Sequence, residues 1–206
     1  MKFLKVFCLF IAVLAANSLH AQEDNIQLAD AALKLTERSV AYIPGYIELS
    51  YPYGDVPYDT GVCTDVVVRA YRNAFDFDLQ KAVHEDMTLD FSKYPNYFWT
   101  LTEPDPNIDH RRVPNLRTYF TKFGTSIAVK KNNRDYSNFL AGDIVTWRWG
   151  SMFHIGIISK NKNRHGEPLI IHNNGGGTIE EDYIFAPNMT GHYRFNPDKR
   201  GLSTRD

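Results

Sequence analysis

The stretch GVCTDVVVRAY, residues 61–71, marks the point at which a loop gives way to a helix. The preceding segment SYPYGDVPYDTG, residues 50–61, is rich in Pro, Gly and Asp, which are typical loop residues. Helical spacing of apolar residues over 63–74 places four side chains on one face: Val66, Val67, Ala70 and Tyr71. Cys63 stands in the first turn of this predicted helix.

The first 21 residues are typical of a secretory signal peptide. A basic start, MKFLK, precedes the apolar run VFCLFIAVLAA, which is too short to span a bilayer, and NSLHA ends in a small residue before Gln22. We expect removal of residues 1–21 on export and no membrane contact afterwards. The remaining chain has 21 basic and 24 acidic side chains, a formal charge of −3, which argues against nucleic acid or anionic lipid as a partner.

Export would leave a single cysteine, because Cys8 lies within the predicted signal peptide. Exported proteins usually hold cysteines in disulfide-bonded pairs, and one cysteine cannot form an internal disulfide. Such a thiol is either incidental and buried or kept for its reactivity. The position of Cys63 favours reactivity, because the unsatisfied N–H groups and the dipole at a helix N-terminus stabilise a thiolate.

The rest of the chain predicts helices first and strands afterwards. The helices are predicted at 25–42, 63–74 and 112–124, the last one ended by Gly124. The strands are predicted in IAVKK, GDIVTWRW, HIGIISK, EPLIIHNN and GHYRF. This order predicts an α+β fold with a mainly antiparallel sheet. We expect a single domain over 22–195, with residues 76–125 as an elaboration that shapes the cleft, and a polar tail over 196–206.

Two histidines lie on neighbouring predicted strands. His154 opens HIGIIS and His172 closes PLIIHN. A hairpin that pairs them directly would put both side chains on one face, about 5 Å apart at Cβ. A slip by one residue would place them on opposite faces. Asn173 is another polar group here, but as a strand neighbour of His172 it should point the other way.

Two further groups are candidates for substrate contact. The cluster NIDHRR contains Asp109 and His110, which could form a second dyad, and Arg111 and Arg112, which could bind substrate carboxylates in fork geometry. A loop held by its own salt bridges is the alternative for this cluster. Trp147 is a candidate for the wall of the cleft.

Three blocks resemble the NlpC-type papain-like cysteine peptidases of bacterial cell walls. They are YPYGD…GVCTDVV, GDIVTWRW followed by HIGIIS, and LIIHN, in the family's order. The resemblance implies a papain-like fold, with the nucleophile at a helix N-terminus packed on the sheet. It implies Cys63 as nucleophile, His154 as base and His172 as the group that orients it. Tyr51, with the backbone N–H of Cys63, would stabilise the oxyanion.

A closer resemblance extends over nearly the whole mature chain. The blocks GVCTDVVVRAYR, NIDHRRVPNL, GDIVTW, HIGI and TGHYR resemble a family of exported bacterial proteins classed as of unknown function. The peptidase pattern Asp-Cys-Ser-Gly is replaced here by Val62-Cys63-Thr64-Asp65, and Asp55 replaces the second glycine of the upstream loop. These departures bear on the substrate more than on the reaction.

The expected function is therefore an exported cysteine hydrolase that cleaves an amide bond in peptidoglycan stem peptides. Endopeptidase, amidase and transferase chemistry all remain open, because each uses the same thioester. The alternatives are a non-catalytic cell-wall binding module of the same fold and a zinc site formed by Cys63, His154 and His172. For the leading hypothesis we expect no cofactor or metal, a monomer, and a Gram-negative periplasmic location.

Overall fold

The structure is a computed structural model that describes residues 23–129, 136–184 and 188–197. Within these ranges the chain is α+β, as the sequence predicts. The α-helices are α1 (23–34), α2 (Cys63–Phe75), α3 (Leu79–Leu89) and α4 (Val113–Phe123). Short 3₁₀ turns occur at Leu35–Glu37, Phe91–Lys93, Asn96–Phe98 and Asp109–Arg111. The predicted signal peptide lies outside the described residues, as does most of the polar tail.

The strands form one large sheet and one small one. The strands are β1 (Ala41–Tyr42), β2 (Thr60–Gly61), β3 (Thr125–Ser126), β4 (Ile144–Trp149), β5 (Met152–Lys162), β6 (Pro168–Asn173), β7 (Thr178–Glu181) and β8 (Met189–Arg194). The large sheet is antiparallel and has the order β3-β8-β4-β5-β6-β7, whereas β1 and β2 pair in parallel. No helix in the described ranges is long and apolar enough to cross a membrane.

Helix α1 ends earlier than predicted. The apolar spacing over 25–42 indicated one helix, but the helix ends at 34, a 3₁₀ turn follows, and Arg38 is extended. Residues Ala41 and Tyr42 instead pair with Thr60 and Gly61. The prediction was wrong at this end because Ala41 and Tyr42 form a strand with a distant segment, although local apolar spacing favours a helix there.

The main core lies between the helices and one face of the sheet. The predicted apolar face of α2 is buried, with Val67, Ala70 and Tyr71 all fully inaccessible. The Tyr71 hydroxyl is satisfied by donation to the Phe195 carbonyl at 3.0 Å. Helices α3 and α4 contribute to the same core through Leu79, Val83, Met87, Leu116 and Phe120. Segment 76–125 therefore shares the core of the domain.

The other face of the sheet also carries buried apolar residues. Val145, Trp147, Ile158, Ile170 and Ile184 form a second cluster there. Burial on both faces explains why β5 and β6 are nearly continuous apolar runs. His154 and His172 belong to this second face, because their neighbours Ile155 and Ile171 point into the main core.

Helix α4 matches the prediction, but the reason for Gly124 differs. The glycine caps the helix in an extended conformation, φ −106° and ψ −166°. A Cβ at this position would lie 2.8 Å from the carbonyl oxygens of Arg194 and Phe120. Glycine is required because the end of strand β8 approaches the helix end closely.

The strand predictions hold for four of the five segments, with moved ends. The strand predicted in IAVKK lies earlier in the chain, at β3 (Thr125–Ser126). Of the predicted residues, only Ile127 continues the pairing, because its N–H donates to the His192 carbonyl at 2.8 Å. Lys130 and Lys131 lie outside the described residues. Strand β7 was missed altogether, although it pairs with β6 across the glycines at 175–177.

The Gly-Asp pair before β4 anchors the sheet. A Cβ on Gly142, whose φ is +82°, would lie 2.0 Å from the Asn25 carbonyl oxygen, so only glycine fits. The Asp143 carboxylate is fully buried, with His192 Nε2 at 2.7 Å and Arg194 Nε at 2.7 Å. The pair thus joins α1, the start of β4 and the end of β8.

We predict that Asp143→Asn lowers the free energy of unfolding by about 3 kcal/mol, because it leaves the buried groups of His192 and Arg194 without their carboxylate. Urea unfolding measures this change. Asp59→Asn is the matched control, since this side chain is exposed and should have little effect. A loss below about 1 kcal/mol for Asp143→Asn would contradict a structural role for the ion pair.

Candidate functional site

The site is built around the first turn of α2. Cys63 begins the helix and is only 4% exposed. Asp65, in the same turn, accepts a hydrogen bond from the backbone N–H of Val62 at 2.7 Å. This bond satisfies one of the N–H groups that a helix start leaves free. The conformation of the backbone that carries the thiol is therefore held by Asp65.

Arg111 neutralises Asp65 from the opposite side. Its Nε and Nη2 donate to the two carboxylate oxygens of Asp65 at 3.0 and 3.1 Å, and its Nη1 donates to the Gly45 carbonyl at 3.1 Å. Both side chains are almost fully buried. Arg111 was predicted as a substrate-carboxylate ligand, but its guanidinium group binds Asp65 and so stabilises the start of α2.

The Cys63 thiol lies against the start of β5. Its sulfur accepts a hydrogen bond from the backbone N–H of Ile155, the residue that follows His154. Among the described residues no hydrogen bond joins the sulfur to a ring nitrogen of His154. The thiol is thus held beside the histidine through the backbone of the strand that bears it.

Burial raises the pKa of the Cys63 thiol to about 12. The backbone N–H groups of Ile155, Thr64 and Cys63 itself lower the pKa, and the charge of Asp65 raises it. The stabilising effect of the helix start on a thiolate is therefore present, but removal from water outweighs it. The resting group at neutral pH is a thiol.

The structure brings His154 and His172 together in a different register from the one predicted. Direct pairing of the two was expected, but Ile157 pairs with Ile171 and Ile158 with Ile170. Continued toward the site, this register places Gly156 opposite His172 and makes the histidines diagonal neighbours. A shift of two residues preserves the face, so the two rings still meet.

Gly156 makes room for this arrangement. A Cβ there would lie 2.7 Å from Ile170 Cγ2 and 3.2 Å from His172 Cβ. Because Gly156 has no Cβ, the two histidines can approach each other, and the distance from His154 Nε2 to His172 Nδ1 is 2.5 Å. The His172 ring in turn places Nε2 at 2.7 Å from the Glu181 carboxylate.

Glu181 determines where the protons lie. A carboxylate only accepts, so His172 Nε2 must carry a proton and donate it to Glu181. In a neutral His172 the other nitrogen, Nδ1, then accepts, and His154 Nε2 must be the donor. Neutral His154 is left with an unprotonated Nδ1. This is the tautomer that a base requires for removing a proton from a thiol.

Burial keeps both histidines neutral. It lowers the pKa of His154 to about 3, with a further contribution from His172. Burial also lowers the pKa of His172, whereas its hydrogen bond to Glu181 acts in the opposite direction. At neutral pH the site therefore contains a thiol and a neutral imidazole.

Aromatic rings enclose His154. Trp147 is paired directly with it across β4 and β5, and the ring centroids are 5.8 Å apart. Trp149 lies 5.4 Å from His154, and Tyr183 lies 4.5 Å from His172. Trp147 is fully buried, so it packs behind the base. These rings exclude water from the histidine pair and restrict its rotation.

The tyrosine near Cys63 is not the one that the sequence predicted. Tyr51 was predicted beside the oxyanion, but its ring packs edge-on against His84 of α3 at 5.3 Å. Tyr42, on β1, is the tyrosine that lies near enough to Cys63 to be affected by its charge. Partial burial and the charges of Cys63 and Asp65 raise the pKa of Tyr42. Its side chain is 38% exposed, so it lies at the open side of the site.

The NIDHRR cluster is mostly buried scaffold. Asp109 accepts from His84 Nδ1 at 2.9 Å and from the Asp105 backbone N–H at 2.9 Å, and is fully buried. His110 is also buried, and desolvation lowers its pKa to about 3. The Asp109–His110 dyad does not form, because the carboxylate bonds His84. Arg112 stacks over Trp99 at 4.4 Å and remains a candidate for substrate contact.

The geometry does not favour zinc at this position. His154 and His172 direct ring nitrogens at each other, so their lone pairs do not converge on one point with Cys63. In the part of the chain that the structure describes, no cluster of three His, Cys, Asp or Glu side chains is arranged to hold a metal ion.

The sequence reasoning missed Glu181, Tyr42 and Tyr183. Glu181 follows the turn at 175–177 on a four-residue strand, and a hairpin across that turn would have placed it near His172. The signal was therefore available in the sequence. Tyr42 was hidden by the overlong α1 prediction, and Tyr183 lies just beyond β7, where the sequence pattern carries no signal.

The fold and site define an α+β protein with a buried cysteine at a helix start beside a His-His-Glu chain. The chain belongs to the family described as "Domain of unknown function (DUF1287)", whose sequence profile matches residues 29–195. It is also similar to "Uncharacterized protein YijF" of Escherichia coli (strain K12), with 49% identity over 172 residues, 83% of this chain and 82% of that protein. The predicted relation to a family of unknown function is thus confirmed.

We predict that iodoacetamide alkylates Cys63 slowly at pH 7, and that the rate rises through pH 10 without a plateau. The reason is the raised pKa of the thiol, about 12. Alkylation is followed by intact-mass spectrometry of the protein lacking residues 1–21, and the same protein in urea serves as control. A rate that is already maximal at pH 7 would contradict a resting thiol.

We predict that Gly156→Ala lowers the stability of the domain by about 1–3 kcal/mol and lengthens the contact between His154 and His172, because the added methyl group overpacks the strand pair. Thermal unfolding and the ring ¹⁵N shifts of both histidines measure these effects. Gly176→Ala is the control, since a Cβ there has open space. Unchanged ring shifts in Gly156→Ala would contradict the proposed role of this glycine.

Proposed function

We propose that this protein is an exported cysteine hydrolase of the NlpC-type papain-like class that cleaves an amide bond in peptidoglycan stem peptides. The observation that carries the proposal is the chain His154–His172–Glu181, which leaves Nδ1 of His154 unprotonated, together with the hydrogen bond from the backbone N–H of the next residue, Ile155, to the Cys63 sulfur. A nucleophile, a base and an orienting group in this order are the components of nucleophilic catalysis.

The order of the elements supports the proposal at the level of the fold. A cysteine at a helix start packs against an antiparallel sheet, and the histidines follow on consecutive strands. These elements have the order of the three sequence blocks that resemble NlpC-type peptidases. The signal-like residues 1–21 favour export to the periplasm, where stem peptides are accessible.

In the proposed reaction, Cys63 Sγ attacks the amide carbonyl carbon while His154 Nδ1 takes the thiol proton. The positive charge that forms on the imidazole is stabilised through His172 by Glu181. Collapse of the tetrahedral intermediate breaks the C–N bond, and His154 returns the proton to the leaving amine. Water, deprotonated by His154, then hydrolyses the thioester and regenerates the thiol.

The start of α2 and Tyr42 are the groups we assign to the oxyanion. The backbone N–H of Cys63 already lies close enough to its own sulfur to lower the pKa of the thiol, and we assign it as one donor to the oxyanion. Tyr42 is 38% exposed and near enough to Cys63 for a charge on the sulfur to raise its pKa, and we assign its hydroxyl as the second donor. Tyr51, which the sequence suggested for this role, contacts α3 instead.

The two alternatives are less well supported. Zinc binding by Cys63, His154 and His172 requires converging lone pairs, and the histidines bond each other instead. A non-catalytic binding module has no use for a buried, fully connected His-His-Glu chain. Buried polar groups are costly unless satisfied, and this chain satisfies them in the tautomer that a base requires.

The decisive experiment incubates the protein lacking residues 1–21, or its Cys63→Ala variant, with purified peptidoglycan sacculi. Released fragments are identified by mass spectrometry. We expect fragments from the wild type alone, since Cys63→Ala removes the nucleophile. A new amino terminus within the stem would indicate an endopeptidase. Release of the whole stem peptide, leaving an intact carboxylate on the sugar, would indicate an amidase. Equal release, or none, from both proteins would contradict the proposal.

A second arm tests the proton chain. Glu181→Gln should lower the rate of release by about tenfold, because an amide no longer enforces the proton positions in the two histidines. Glu180→Gln is the matched control, since Glu180 is on the same strand but bonds Ser159 instead. Equal rates in the two variants would show that Glu181 does not orient the base.

A further inference from the structure

A groove lies between α4, the segment 90–98 and the adjoining ends of β4 and β5. Its volume is about 610 Å³, which is within the range of sites for small ligands. Aromatic rings form one wall: Phe98 and Phe153 meet at 5.0 Å, and the neighbouring Tyr97 is 72% exposed. This surface is open, apolar in part, and not used by the reaction described above.

The groove carries an excess of positive charge. Lys93, Arg117 and Arg148 line it, and the single lining carboxylate is Asp90. Lys122 already faces this carboxylate at 3.6 Å and holds Asp86 at 2.7 Å. In the described part of the chain, no carboxylate forms an ion pair with Lys93, Arg117 or Arg148. The groove therefore has three cations whose charge the protein itself does not balance.

Arg117 and Arg148 are both held in place by hydrogen bonds, and each retains N–H groups that bond no protein acceptor among the described residues. Arg148 Nε donates to the Gly150 carbonyl at 2.7 Å, and its guanidinium stacks over Phe153 at 5.1 Å. Arg117 donates from Nη2 to the Thr190 carbonyl at 3.1 Å. Within the described residues, Arg117 Nη1 and both terminal nitrogens of Arg148 donate to no protein acceptor. Fixed guanidinium groups with free N–H edges suit a carboxylate ligand.

The groove adjoins the reacting thiol. Phe153 and Ile155 lie on the same face of β5, two residues apart, which corresponds to about 7 Å along a strand. The backbone N–H of Ile155 is the group that bonds the Cys63 sulfur. A peptide whose amide bond lies at the thiol would need only about two residues to reach the ring of Phe153.

We propose that this groove is the subsite that binds a carboxylate-bearing part of the substrate, so that the enzyme selects acidic peptides over their amidated forms. Arg148 and Lys93 attract and bind the carboxylate, and Phe98 and Phe153 contact the aliphatic part beside it. The inference rests on the proposed function for the identity of the substrate, but the groove and its charges are independent of the reaction.

The test measures binding in the Cys63→Ala protein, where no turnover occurs. Isothermal titration calorimetry compares the tripeptide alanyl-glutamyl-diaminopimelate with the same peptide whose carboxylates are amidated. We expect Arg148→Gln to weaken binding of the acidic peptide by about tenfold or more, through loss of charge-assisted hydrogen bonds, and to change binding of the amidated peptide little. Lys93→Gln should have a smaller effect in the same direction.

Arg164→Gln is the matched control, because this arginine is exposed on the β5–β6 hairpin, outside the groove. Equal affinities for both peptides, an equal loss in Arg148→Gln and Arg164→Gln, or no binding at millimolar concentration would each overturn the subsite. Selective binding that depends on Arg148 supports it even if sacculi release no fragments. If sacculi release fragments but peptide binding does not depend on Arg148, the proposed hydrolase activity stands and the proposed subsite is wrong.

Discussion

The buried ion pair between Asp65 and Arg111 is the interaction on which the rest of the site depends. Two charges removed from water are costly, and the cost is offset only when geometry is good and the remaining polar atoms are satisfied. Here the fork is bidentate, Val62 donates to the same carboxylate, and Arg111 also reaches the Gly45 carbonyl. The pair thereby joins the start of α2, the segment before the loop and the 3₁₀ turn at Asp109–Arg111.

Two opposing effects set the state of the thiol, and their relative size decides the chemistry. The helix start and three backbone N–H groups favour a thiolate, but an almost fully buried sulfur loses far more hydration than these groups return. The neighbouring histidines are subject to the same desolvation and stay neutral. The consequence is a neutral thiol next to a neutral histidine pair, whose orientation is set by the hydrogen bond from His172 to the partly exposed Glu181.

Much of this fold could be predicted from local patterns. Helices α2 and α4 and four of the long strands follow from apolar spacing and turn residues, because packing and local preference agree there. The histidines were expected on one face, and they are. The strand register was off by two residues, since it depends on the close approach that Gly156 permits, and the end of α1 depends on pairing with Thr60–Gly61. Neither contact is encoded in the nearby sequence.

By itself, the sequence determined the α+β class, the place of Cys63 at a helix start, and the pair of strands that carry His154 and His172, because residue periodicity and turn chemistry act locally. Only the tertiary structure decided that Arg111 pairs with Asp65, that Tyr42 lies near Cys63, and that Glu181 accepts a hydrogen bond from His172. These outcomes depend on segments that are distant in the chain and meet through burial. The desolvation that results also outweighs the stabilisation of a thiolate that the helix start provides.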